Sequence, residues 1–136
     1  MCIRDRKDIA FTLICPDDFK TKEHIALLAI LNNLMANAVE AISTRGFITL
    51  SVSIQQNKTT FIIEDNGVGI EPALLPIIFD VGYTSKFNNL GQASTGIGLS
   101  HAKSMVENLQ GTITVASTTT TCFVVQIPTR NLRKEL

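Results

Sequence analysis

The sequence has no surplus of charge, no long apolar run, no paired cysteines and no internal repeat. Twelve Lys/Arg balance twelve Asp/Glu over 136 residues. That balance argues against nucleic acid as the main partner, since such binders carry a net basic face. The longest apolar stretch, residues 25–31, is far short of the ~20 residues a membrane-spanning helix needs. Residues 1–7 are charged and lack an apolar h-region, so no signal peptide is expected. Cys2, Cys15 and Cys122 are scattered without a CxxC pair, which fits a reducing compartment better than a disulfide scaffold or zinc site. No Pro- or Ser-rich linker divides the chain. What is present is an apolar fraction of 45% against 18% charged, enough for one folded domain with a single core.

Periodicity orders the elements. Ile9, Phe11 and Leu13 alternate in a first strand over 8–14. A long helix is expected over 21–44, with Thr21 as its cap and Gly46 as its stop. Its inward stripe would be Leu28, Leu31, Met35, Ala38 and Ile42. A strand over 47–55 alternates Ile48, Leu50, Val52 and Ile54 against Thr49, Ser51 and Ser53. A turn at Asn57-Lys58 returns the chain as a strand over 60–65. A short helix over 72–79 follows, then a long loop over 81–95; loops of that length in compact domains are usually functional. A helix over 98–110 faces Leu99, Ala102, Met105, Val106 and Leu109 inward, with Gly111 at its C-cap. A hairpin of strands 112–116 and 122–127 closes the chain. This order predicts an α+β two-layer sandwich, helices packed on one face of a mixed sheet.

Four polar constellations interrupt the apolar pattern. Asn33, Asn37 and Glu40 share one helical face; it is either the solvated side of the helix, the favoured reading for Glu40 alone, or a place where the two asparagine amides hold a ligand or hydrated cation. Asp65-Asn66-Gly67-Val68-Gly69 ends a strand. It is either a turn in which Asp65 caps its own loop or a carboxylate offered to an exocyclic amine, with glycines admitting a flat ligand. Ser94-Thr95-Gly96-Ile97-Gly98-Leu99 is either an ordinary glycine-rich helix start or an anion site made by outward N–H groups at the dipole's positive end. It is neither a P-loop nor a dinucleotide fingerprint, because G-x-x-x-x-G-K-[ST] is absent and His101 takes the third glycine's place. Thr84-Ser85-Lys86 is either a solvated loop or a lid able to close over phosphates.

In this order and spacing the four pieces resemble the ATP-binding catalytic domain of sensor histidine kinases, in the gyrase/Hsp90/histidine kinase/MutL superfamily. Asn33-Leu34-Met35-Ala36-Asn37-Ala38 is similar to the N box and Asp65-x-Gly67-x-Gly69 to the G1 box. Ile78-Phe79-Asp80 through Thr84-Ser85-Lys86 is similar to the F-box region, and Thr95-Gly96-Ile97-Gly98-Leu99 to the G2 box. The lid and the Asn-Ala-Val-Glu-Ala run resemble the branch that senses citrate, C4-dicarboxylates or similar metabolites. The resemblance implies a Bergerat-type ATP-binding fold over residues 8–130, between a non-conforming segment 1–7 and a tail 131–136. It implies Mg²⁺ and ATP as cofactors. Asn37 would be the metal ligand, and Asn33, Asn37 and Lys86 the catalytic residues. The nucleotide would be held by Asn33, Asn37, Asp65, Gly67, Gly69, Ile70, Phe79, Thr84, Lys86, Thr95, Gly96, Ile97, Gly98 and Leu99. Asp65 would accept from the adenine 6-amino group.

At the position of Asn33, hydrolytic relatives such as gyrase carry a glutamate that activates water. An amide cannot act as a general base, so the resemblance implies phosphoryl transfer to a protein side chain. It implies a cytoplasmic domain, in a parent that can be membrane-anchored, with no nucleic-acid partner and no membrane contact of its own. The implied partners are the parent's dimerisation/phosphoacceptor domain and a response regulator. Ser94 departs from the commoner G-x-G-x-G form of the last box. His24 and His101 lack the helical-hairpin context of a phosphoacceptor and read as ordinary helix residues. Two other readings stand beside this one. The first is a stand-alone serine kinase of the anti-sigma-factor type, whose N box usually carries glutamate where Asn33 lies. The second is a binding module that has lost ATP, against which Asn37, Asp65, Gly67, Gly96 and Gly98 argue.

Overall fold

The alternation of apolar and polar residues in the strands produces a sheet with one buried face. The computed structural model describes residues 8–15, 24–80 and 98–131. The strands are β1 (Asp8–Ile14), β2 (Arg45–Gln55), β3 (Lys58–Asp65), β4 (Thr112–Ser117) and β5 (Thr121–Pro128), and the helices α1 (His24–Ala41) and α2 (Gly98–Asn108). The sheet order is β1-β2-β3-β5-β4. β1 runs parallel to β2, and the remaining pairs are antiparallel, so the sheet is mixed as expected. The parallel β1–β2 pair needs a crossover between its strands, and the chain supplies α1 there.

Register puts one row of side chains under the helices. In β3, Thr59, Phe61, Ile63 and Asp65 are buried while their neighbours are only half-buried or exposed. In β5 the buried set is Thr121, Phe123, Val125 and Ile127. Their apolar members, Phe61, Ile63, Phe123, Val125 and Ile127, join Leu27, Ile30, Leu34, Ala38 and Ile42 around α1, and Val106 of α2, in one apolar core. Helix α1 packs on α2 and across β3, and α2 packs on β4. The result is two layers.

Several boundaries differ from the sequence expectation. Helix α1 ends at Ala41, and Gly46 lies within β2 rather than stopping the helix; Thr21 lies outside the described residues. The inward stripe of α1 is rotated from the expected one. Leu27, Ile30 and Leu34 are buried, whereas Leu28 is 57% exposed and Leu31 and Met35 are half-buried. The β2–β3 turn falls one residue earlier than expected: Gln56 (φ 52°) and Asn57 (φ 65°) are its two left-handed residues, the conformation of a two-residue hairpin loop. The segment expected as a helix over 72–79 is a 3₁₀ helix, Pro72–Ile77. Pro76 within it lacks the N–H that an α-helix would use, and its ring crowds the preceding turn.

Helix α2 stops two residues early, in a Schellman arrangement. Gln110 takes the left-handed position (φ 63°), and the Gly111 N–H reaches back to the Val106 carbonyl at 2.9 Å. Gly111 is needed for space: a Cβ there would lie 2.5 Å from the Gln126 carbonyl oxygen.

Candidate functional site

The strand register aims Asp65 into the molecule. It is the last residue of β3 on the parity of Phe61 and Ile63, so its carboxylate enters the layer beneath the helices and is 2% exposed. Its ladder neighbours are Ile48 on β2 and Thr121 on β5. The carboxylate Oδ1 accepts the Gly67 N–H at 2.8 Å. This is the local turn bond that the sequence allowed, and it orients the carboxylate. A carboxylate has about four acceptor positions.

The loop after Asp65 is fastened first to β2, where Asn66 Oδ1 accepts the Phe47 N–H at 2.7 Å, and then at two points further along. At the C-terminus of α1 the Ala41 carbonyl has no partner within the helix; it accepts the Val68 N–H at 2.9 Å. Gly67 crosses that helix end so closely that a Cβ would overlap the Ala41 carbonyl. Further along, the Ile70 N–H donates to Ser117 Oγ at 2.9 Å, and Ser117 Oγ lies 2.9 Å from Thr121 Oγ1. Gly69 between them has φ 81°, a conformation that glycine adopts at little cost.

These elements enclose a cleft of about 310 Å³, lined by Asn37, Ala41, Asp65, Val68, Gly69, Ile70, Glu71, Leu74, Ile78, Leu99 and Thr121. Asn37 and Ala41, four residues apart on α1, form one wall. Leu74 and Ile78 form a second. Leu99, next to the first residue of α2, brings that helix's N-terminal end to the cleft. The first-turn N–H groups of α2 have no acceptors within the helix and carry the positive end of its dipole. The cleft thus joins a buried carboxylate and an apolar wall to an amide and a helix N-terminus. A purine that offers an exocyclic amine, trailing an anionic tail, matches that sequence of groups.

Of the residues expected from sequence, Asn37, Asp65, Gly69, Ile70 and Leu99 meet in the cleft, with Gly67 directly behind it. Asn33 is half-buried one turn before Asn37 and is not among the lining residues. Phe79 is also outside the lining; its ring meets Phe123 edge-on, centroids 6.2 Å apart. Gly98 begins α2. Thr84, Lys86, Thr95, Gly96 and Ile97, with the loop over 81–95, lie outside the described residues. His101 is exposed on α2.

Six lining residues were not among those expected from sequence: Ala41, Val68, Glu71, Leu74, Ile78 and Thr121. Strand parity points to Thr121, two residues before the inward Phe123, once β5 is extended by one residue beyond the expected 122–127. On the sheet's other face, burial pushes the Cys122 thiol above its ordinary value, reinforced by the Glu64 and Asp65 charges and opposed by a hydrogen bond with Thr120. Glu64 is held separately, by the Thr120 hydroxyl at 2.7 Å.

The donor set also bears on magnesium. Among the described residues no group of three or more His, Cys, Asp or Glu could hold a metal. A lone hard-oxygen donor such as Asn37 Oδ1 fits Mg²⁺, which keeps waters and phosphates as most of its ligands.

The histidine kinase-, DNA gyrase B- and HSP90-like ATPase family matches residues 22–131, and the chain belongs to that family. It is 42% identical over 108 residues to the sensor histidine kinase GlnK of Bacillus subtilis, covering 78% of this chain and 26% of GlnK. It is 34% identical over 131 residues to the sensor histidine kinase DcuS of Escherichia coli, covering 89% of this chain and 23% of DcuS. The chain therefore spans about a quarter of the length of the curated relatives it matches. Its fold is that of the catalytic domain of histidine kinase ThkA (TM-score 0.76, 24% identity, covering 89% of this chain and 80% of that one). The mycobacterial sensor histidine kinase MprB shares it (TM-score 0.77, 21% identity, covering 97% and 87%). No helix among the described residues is long and apolar enough to cross a membrane.

Proposed function

We propose that this domain binds Mg-ATP and presents its γ-phosphoryl group to a histidine on a separate dimerisation domain of a two-component sensor kinase. The observation that carries the reading is the cleft itself, with buried Asp65 at the end of β3 and the start of α2 on one cavity. Asp65 accepts the adenine amino group, an acceptor made stronger by its charge. Gly67 and Gly69 let the loop lie against the base. The α2 N-terminus, with Gly96, Ile97 and Gly98, receives phosphate oxygens; Thr84, Lys86 and Thr95 complete the phosphate side. Asn37 Oδ1 is the protein's donor to Mg²⁺, which when bound neutralises charge on the phosphates. Asn33 supports the same polar face and, as an amide, withholds general-base assistance from water. That preserves ATP for transfer.

Similarity to GlnK and DcuS, both sensor histidine kinases, supports the transfer step. A structure of ThkA in complex with the response regulator TrrA supports a response regulator as the downstream partner.

The test is a calorimetric titration with ATP, with and without Mg²⁺, on the native chain and Asn37→Asp. The expected result is tighter binding with Mg²⁺ in the native chain and an altered Mg²⁺ dependence in the variant. An identical dependence removes Asn37 as the metal ligand. Mixing the chain with a histidine-bearing dimerisation domain and γ-labelled ATP should place acid-labile label on that domain. Label that appears only as free phosphate contradicts the proposal.

A further inference from the structure

We infer that Lys103 is a positioning residue for the nucleotide cleft, acting through the ring of Phe79; this rests on the nucleotide-binding reading above. Two walls of the cleft come from separate segments. Leu74 and Ile78 belong to the stretch around the 3₁₀ helix, and Leu99 to α2. Phe79 follows Ile78 directly. Lys103 is four residues beyond Leu99 and so shares its helical face. The Lys103 ammonium stands over the Phe79 ring, 5.6 Å from its centroid. The same ring meets Phe123 of β5 at 83°. Phe79 is thus held between the sheet and α2. The geometry of the Lys103 contact sets the distance between the Ile78 wall and the Leu99 wall.

The chemistry favours this arrangement. An ammonium over an aromatic face is attracted by the ring quadrupole, and half-buried placement keeps the contact from full hydration. The lysine stem adds apolar cover. Neither Lys103 nor Phe79 lines the cleft, so the effect on ligand binding is indirect and insensitive to the length of the phosphate chain.

The contact is tested first without nucleotide. Ring current should shift the Lys103 ε-methylene protons upfield, and Phe79→Leu should abolish the shift. In Lys103→Met the methyl resonances of Leu74, Ile78 and Leu99 should move, and Lys103→Arg, which restores the cation, should return them. An unshifted lysine, or cleft methyls indifferent to Lys103→Met, overturns the inference whether or not nucleotide binds. The second test is calorimetry with ATP and AMP. Lys103→Met should weaken both by the same factor, about three- to tenfold, with little change in Tm. Lys103→Arg should remain within about twofold of the native chain, and Lys103→Met on Phe79→Leu should add little. A loss confined to ATP makes Lys103 a phosphate contact and overturns the positioning role, as does failure of the Arg rescue. Native protein that binds neither nucleotide contradicts the proposed function, while the resonance shifts still decide the contact.

Discussion

The sheet-end wall of the cleft and the helical wall are built by different forces. At the sheet end, Asp65 sits between two ladder neighbours and accepts a backbone N–H. The loop beyond it is fixed to α1 at Val68 and to β4 at Ile70. Directional bonds there impose one pattern of acceptors, suited to recognising a planar group with a particular donor edge. On the helical side, Leu74, Ile78 and Leu99 are partly or fully buried apolar groups placed by packing, and α2 contributes the field of its first turn. Packing and dipole fields tolerate changes in shape better than a short hydrogen bond does. In the proposed function, identity of the base is therefore read at the sheet end, and the helical side supplies area and charge complementarity.

That contrast can be broken at graded cost. The largest effect is expected from Asp65→Asn, which exchanges a charged acceptor for an amide. ATP affinity should fall by about 1.5–3 kcal/mol, the range for a hydrogen bond to a charged group, with the fold retained; isothermal calorimetry checks it. Gly67→Ala should act on stability instead. Its methyl would overlap the Ala41 carbonyl, and overpacking of this kind costs about 1–3 kcal/mol, read as a lower midpoint in urea unfolding. The smallest effect is expected from Ser117→Ala, which removes the acceptor of the Ile70 N–H. A loss of about 1 kcal/mol is expected from one hydrogen bond, with faster amide exchange confined to the loop around Ile70. If Ser117→Ala weakened ATP binding as much as Asp65→Asn, recognition would not be concentrated in the carboxylate.

The strands and the site-bearing loop were readable in the sequence because a period of two leaves little freedom. Ile48 and Val52 could be assigned inward from alternation, whereas Phe61, Ile62 and Ile63 are consecutive apolar residues, and it is the register of β3 that selects Phe61, Ile63 and, on the same parity, Asp65. Helix α1 was less readable. Apolar residues stand at most of its positions from Ile25 to Ile42, so periodicity alone could not distinguish Leu27, Ile30 and Leu34 as the buried row from Leu28 and Leu31. Only contact with the sheet selects the face. Thr121 looked like part of a Ser/Thr turn and became a cleft residue through its register opposite Asp65. The Lys103–Phe79 contact joins positions 24 apart in the chain; neither residue type nor spacing signals it.

The most direct test of the central claim is a crystal structure of the chain with adenylyl imidodiphosphate and magnesium. The adenine amino group is expected within hydrogen-bond distance of the Asp65 carboxylate, and the phosphates at the start of α2. Nucleotide bound elsewhere, or a cleft that stays empty at saturating ligand, would contradict it.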